Sequence, residues 1–229
     1  MSDSPTVADF WEQRYRAGHA ERYPWDVVVT FVYRNAPRDI PRDKVTIFEV
    51  GCGTGSNLWF AAREGFRVAG IDGSESAIEY ARRRFAGEKL VGDFRVGDFT
   101  KQLPWPDHSF ELSIDRGALV CADDEGARVA CAEVFRVLKP GGRALFNPYG
   151  DSHSSYRSGR TLDNGLTVDI TSGSLAGMSA RFWSRRDIDR FLTDSNWLVR
   201  SVQRLEILDM MGATGAVHAE YRIVVEKPQ

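Results

Sequence analysis

The sequence predicts a doubly wound α/β fold with a mostly parallel sheet, and three observations carry that expectation. Strand-like apolar runs alternate with stretches of helical periodicity through residues 45–147. The first strand runs straight into a glycine triplet that opens a helix. The second ends in an acid twenty-one residues beyond the first of those glycines. A length of 229 residues suits a single domain, 1–229, and 42% apolar with 27% charged residues is ordinary globular composition.

Each element has its own signal. In the N-terminal part, residues 1–44, Asp9 to Ala17 could form a helix, with Phe10, Arg14 and Ala17 on one side. Pro24 separates it from a second apolar segment, Asp26 to Asn35. The aromatics here, Trp11, Tyr15 and Trp25 among them, read as the buried face of a cap or as one wall of a ligand pocket. In the core, 45–147, Val45 to Val50 is a buried strand, Ser56 to Glu64 a helix and Arg67 to Ile71 a second strand. Ser74 is a plausible N-cap for a helix carrying Ile78, Ala81 and Phe85. Residues 93–96 and Phe110 to Ile114 supply two more strands. A helix over 124–138 closes at Pro140-Gly141-Gly142, and Arg143 to Asn147 is the fifth strand. An insertion, 148–182, reads as a lid or as decoration: twelve of residues 150–179 are Gly or Ser, and Leu166, Val168 and Ile170 suggest one short strand. The remainder, 183–229, holds a helix capped by Ser184 and two strands, near 197–208 and 217–225.

The stretch E49-V-G51-C-G53-T-G55-S56 is the most informative in the chain. Glycines admit positive φ and close ligand approach, and the helix N-terminus behind them offers unpaired N–H groups. A dinucleotide fingerprint needs glycine at the sixth position, where Ser56 or Leu58 stands, and no GKS or GKT of a P-loop follows. Asp72, ending the second strand, can accept from both hydroxyls of a ribose. Asp98 and Phe99, after the third strand, could hold an adenine amino group and its ring.

Other classes lose ground on composition. Thirty basic against 32 acidic residues give a net charge of −2, so no bulk positive field invites nucleic acid. No apolar run is long enough to span a bilayer. The cysteines Cys52, Cys121 and Cys131 form no CxxC, and the four histidines are scattered, so no metal site is expected. A cytoplasmic protein is the default expectation.

At this point the sequence resembles the class I S-adenosylmethionine-dependent methyltransferases, of a small-molecule type with an N-terminal cap. The matches are FEVGCGTGS (48–56), GIDGSESAI (70–78), VGDFTKQLPWPDHSFELSIDRGAL (96–119) and EVFRVLKPGG (133–142), with FWEQRYRAGHAERYPWD (10–26) like the cap. The resemblance implies a seven-stranded sheet ordered 3-2-1-4-5-7-6 with an antiparallel last strand. It implies S-adenosyl-L-methionine as cofactor and S-adenosyl-L-homocysteine as product. Gly51, Cys52, Gly53 and Gly55 would wrap the methionine moiety, and Glu49 would organise the loop or reach the amino end. Asp72 with Gly73 would meet the ribose, Asp98 and Phe99 the adenine, and Arg116, Trp11 and Tyr15 would complete the cofactor site.

The expected reaction is in-line methyl transfer to an N or O atom of a small molecule. An amine acceptor need only be neutral, whereas an alcohol benefits from a base. His153 and Asp115 are the candidates for that role, although positioning alone could suffice. Trp25, Arg116, Tyr149, His153, Tyr156, Arg181 and Phe182 are the candidate substrate contacts. FNPYG (146–150) has one Pro too few for the amino-methylating nucleic-acid motif and follows the fifth strand, not the fourth. The partner is therefore a small molecule, with neither nucleic acid nor membrane. Monomer and homodimer both stay open, the second suggested by Met210 and Met211. A non-catalytic cofactor-binding module and a nicotinamide oxidoreductase remain as alternatives.

Overall fold

The computed structural model describes residues 7–193, 196–211 and 216–229. Residues 1–6 of the expected cap, and 194–195 and 212–215 of the C-terminal part, lie outside the described residues. Two helices lead, α1 (Val7–Arg16) and α2 (Asp26–Asn35). The core follows as β1 (Thr46–Val50), α3 (Ser56–Arg63), β2 (Arg67–Asp72), α4 (Glu75–Gly87), β3 (Asp93–Val96), β4 (Phe110–Asp115), α5 (Asp124–Val137) and β5 (Leu138–Phe146). Then come α6 (Ser154–Arg157), β6 (Arg160–Thr161), β7 (Leu166–Val168), β8 (Ala180–Arg181), α7 (Arg185–Thr193), β9 (Leu198–Leu208) and β10 (Val217–Glu226).

Seven strands form the main sheet in the order β3-β2-β1-β4-β5-β10-β9. The first five run parallel, and β10 is antiparallel to both β5 and β9. Counted along this sheet, that is the expected 3-2-1-4-5-7-6. Alternate residues of β1 reach opposite faces: Ile47 packs with Leu58, Ile78 and Val28, while Phe48 and Val50 pack with Phe110, Val134 and Phe146. A strand buried on both sides reads as a continuous apolar run, which is why TIFEV was legible. Helix starts obey ordinary capping chemistry. Ser74 Oγ accepts from the Ala77 amide at 3.1 Å, and Asp123 Oδ1 from the Gly126 amide at 2.8 Å. Ser184 and Asp187 cap each other at the start of α7.

Two elements differ from expectation. The fifth strand begins at Leu138, five residues before Arg143, because Leu138 already pairs with Phe110. Pro140-Gly141-Gly142 is a kink within that strand, where Gly141 takes φ +76° and the register shifts. The insertion holds three short strands, β6-β7-β8, instead of one, and Ile170 lies in the connection between β7 and β8. Ile170 joins Leu175, Met178, Ala180 and Phe182 in a separate apolar cluster, against which Phe10, Trp11, Tyr149 and Tyr156 pack. No helix among the described residues is long and apolar enough to cross a membrane.

Candidate functional site

The C-terminal ends of β1, β2 and β4 open into a cleft of about 570 Å³, closed from above by α1. The glycine turn forms its base. Gly51 and Gly53 hold φ of +58° and +51°, and neither tolerates a side chain. A Cβ on Gly51 would stand 2.3 Å from the Ala118 Cβ, and one on Gly53 would stand 2.6 Å from the Tyr15 hydroxyl. The turn is pinned to β2: the Cys52 amide donates to the Ile71 carbonyl at 3.0 Å. Asp72 Oδ2 accepts from the Gly53 amide at 2.8 Å and Oδ1 from the Ser74 amide at 2.9 Å. Asp72 therefore holds the loop as well as facing the cleft. Burial raises its pKa, and the two backbone donors oppose that rise.

Glu49 sits on the cleft floor, buried. Its Oε1 accepts from the Asn57 side-chain amide at 2.7 Å, and Asn57 Oδ1 accepts from the Trp25 amide at 3.0 Å. Its Oε2 is buried with no partner. Burial pushes the carboxyl up to about 8, with the Asn57 bond pulling the other way. A carboxyl that lines a cavity and keeps one buried oxygen without a partner suits an incoming cation or N–H donor.

The roof formed by α1 is aromatic and polar. Trp11 and Tyr15 stack at 5.7 Å and 28°, with His19 beside both. Glu12 anchors α1 on the N-terminus of α4. It accepts from the Ser74 hydroxyl at 2.5 Å, the Ser76 hydroxyl at 2.7 Å and the Ser76 amide at 3.2 Å. Those two hydroxyls hold its carboxyl down to about 2.

At the other end of the cleft Arg116 lies over Trp25, its guanidinium 3.9 Å from the ring centroid. Its Nη2 is 3.7 Å from Glu220 Oε2, and its Nε is buried without a partner. Glu220 is itself held by Arg222 at 2.7 Å and His218 at 3.1 Å.

Of the residues singled out for the cofactor, Glu49, Gly51, Cys52, Gly53, Asp72, Gly73, Asp98, Phe99, Arg116, Trp11 and Tyr15 all line this cleft, and Trp25 and Tyr149 join them. Gly55 does not: it precedes α3 and its Cα faces Ala81 and Phe94. Asp98 lies at the exposed rim, its Oδ1 occupied by the Thr100 amide and hydroxyl. Asp115 lies beneath the cleft, accepting from the Ala118 and Leu119 amides at 2.9 and 3.0 Å. Burial lifts it to about 6.

His153 is buried behind Tyr149, its ring 5.4 Å away. Its Nδ1 accepts from the Ser155 amide, and burial pushes it down to about 4. Tyr156 and Phe182 pack within the insertion, and Arg181 pairs with Asp124 at 2.8 Å. Asn57, Thr54, Cys121 and Ser74 also line the cleft and were not singled out from the sequence. Asn57 had a usable signal, a polar side chain in the first turn of the helix after the glycines. The anchoring role of Glu12 had none, since it depends on where α1 docks.

Comparison with known proteins places the core. The methyltransferase-domain family matches residues 47–142. Phosphoethanolamine N-methyltransferase 1 of Zea mays is 34% identical over 104 residues, covering 45% of this chain and 20% of that protein. A ubiquinone/menaquinone biosynthesis C-methyltransferase of Desulfotalea psychrophila is 38% identical over 101 residues, 43% of this chain and 39% of that one. The chain thus spans well under half the length of these relatives. An S-adenosylmethionine-dependent methyltransferase structure from Methanosarcina mazei superposes with a TM-score of 0.69 at 22% identity, covering 90% of this chain and 99% of that one.

Proposed function

We propose that the chain is a class I S-adenosylmethionine-dependent methyltransferase, that it binds S-adenosylmethionine in this cleft and that it transfers the methyl group to an N or O atom of a small molecule. One observation carries the reading: the glycine turn, Asp72, the Asp98–Phe99 pair and Glu49, whose Oε2 has no partner, all line one cavity at the strand ends. The residues fit the cofactor. Glu49 Oε2 is available to the methionine ammonium, Asp72 and Gly73 flank the ribose position, and Phe99 with Asp98 borders the adenine position.

The bound cofactor supplies an activated methyl on sulfonium sulfur. The chain's share is orientation and exclusion of water. Trp11 and Tyr15 roof the site, while Arg116 and Tyr149 bound the acceptor side. Asp115 acts through the loop, holding the Ala118 and Leu119 amides. His153 lies one ring beyond Tyr149 and stays neutral at physiological pH. The free cysteines Cys52, Cys121 and Cys131 support a reducing, cytoplasmic setting.

Calorimetric titration with S-adenosylmethionine, with NAD as control, tests the reading. Micromolar binding that Asp72→Ala weakens at least tenfold is expected, since that change also frees the Gly53 and Ser74 amides. A screen of small amines, phenols and carboxylates then follows methyl turnover. Folded protein with no affinity for the cofactor would overturn the assignment.

A further inference from the structure

The two edges of the main sheet are finished differently. On one side β3 has four residues, and Asp93 and Arg95 put opposite charges on it. Short charged edges discourage further pairing. On the other side β9 has eleven residues and an outer edge that is unpaired among the described residues. Val199, Val202, Ile207 and Leu208 are 36% exposed or more, and Met210 and Met211 just beyond the strand are 81% and 95% exposed. A long edge with this many exposed apolar side chains, interrupted by both signs of charge, is a template for a strand of complementary pattern.

The strand also defines a window and a register. Pairing with β10 is regular from Leu208 to Ser201 and then shifts, Val224 facing Ser201 and Val225 facing Val199, so that Arg200 is the bulged residue. Between the bulge and the end of the strand lie residues 201–208, with Arg204 and Leu205 at their centre. In an antiparallel pair, directly opposed residues share a face, so a two-fold axis must fall on a residue. An axis at 204 or 206 would set Arg204 against Arg204 or Glu206 against Glu206. An axis at 203 would run the pairing through the bulge.

An axis at Leu205 sets Val202 against Leu208 of the second copy and Arg204 against Glu206 of the second copy. Leu205 then meets its own symmetry mate. Arg204 and Glu206 already pair within the chain at 2.6 Å, with the Ser152 hydroxyl between them and Asp151 3.9 Å from Arg204, and the second copy sets an opposite charge against each of the two. Met210 and Met211 fall opposite the exposed 198–200 end. We infer that β9 is a self-complementary docking edge, taking a second copy of this chain in antiparallel register about a two-fold axis at Leu205.

Light scattering on a sizing column, at micromolar concentration, reads the stoichiometry. The full chain is expected to run at twice its chain mass. Arg204→Glu alone and Glu206→Arg alone are expected to be monomeric, because each sets like charges against like across the axis. Mixed in equal amounts they regain the dimer, because one variant then offers two acids where the other offers two arginines. A role of these side chains confined to one chain cannot give that rescue. Melting curves establish that each variant is folded.

Leu205→Cys sharpens the register: mild oxidation should cross-link it to itself, and Val202→Cys should not cross-link. The proposal is overturned by a monomeric full chain, by a dimer that both single charge reversals leave intact, or by no rescue on mixing. Cross-linking of Val202→Cys in place of Leu205→Cys would overturn the register.

Discussion

The two helices that precede β1 look alike in sequence, short and rich in aromatics, yet they dock by different forces. α2 buries Val27, Val28, Phe31 and Val32 in the apolar cluster that also holds Ile47, Leu58 and Ile114. α1 has no buried residue. It is held by Glu12 on the start of α4 and by Phe10 and Trp11 packed on the apolar cluster of the insertion. One helix is part of the fold and the other is a removable wall. The lesson is that a cofactor roofed by its own chain needs a roof whose opening costs much less than unfolding.

The largest expected effect breaks the fixed member of this pair. Phe31→Ala removes a buried ring from the core and should cost about 3–5 kcal/mol, visible as a melting temperature lower by roughly 10 °C. If the melting temperature does not move, α2 is no more built into the fold than α1.

That contrast was only half legible in the sequence. Strands such as TIFEV and FELSID could be read because a parallel sheet buries both faces, and the glycine triplet with Asp72 could be read because backbone conformation and hydrogen bonding fix its chemistry. The insertion could not. Its fold rests on Ile170, Leu175, Met178 and Phe182, whose spacing carries no period, and on contact with Phe10 and Trp11 far away in sequence. His153 stood at a suggestive position after the fifth strand, but the chain turns it into the insertion behind Tyr149. Glu12 is silent in sequence because its partners, Ser74 and Ser76, lie more than sixty residues on.

The second effect concerns the floor. Glu49 is raised to about 8 from an ordinary 4.5, so the folded chain holds a proton that the unfolded chain releases between those values. Stability without ligand should therefore fall as pH rises through that window, and Glu49→Gln should flatten the slope. A ligand ammonium at Oε2 would favour the charged form, so binding at pH 7 should release up to one proton. Titrations in two buffers of different ionisation enthalpy measure that release. Equal heats in both would place the ammonium elsewhere.

A smaller effect belongs to the roof. Trp11→Ala should leave the melting temperature within about 2 °C, while removing a stacking contact worth about 0.5–1.5 kcal/mol. Cofactor affinity should then fall roughly threefold to tenfold. A drop in melting temperature as large as that of Phe31→Ala would erase the distinction between the two helices.

The smallest effect is on rate. Glu12→Gln keeps the shape of the anchor on Ser74 and Ser76 but removes its charge, and cofactor dissociation followed by stopped flow should quicken by a few-fold. Glu12 is held down to about 2, so its contribution is fully present above an ordinary 4.5 and is lost only as pH falls through about 2. Dissociation attributable to the roof should be flat from pH 8 to 5 and rise below about pH 4. The two carboxyls that bracket the cleft thus respond to acid in opposite senses. Protonation suits Glu49 in the empty floor and releases Glu12 from the roof. In a Glu49→Gln background, where the floor no longer titrates, a rise in dissociation at low pH that Glu12→Gln removes would assign the response to the roof without touching either helix's apolar contacts.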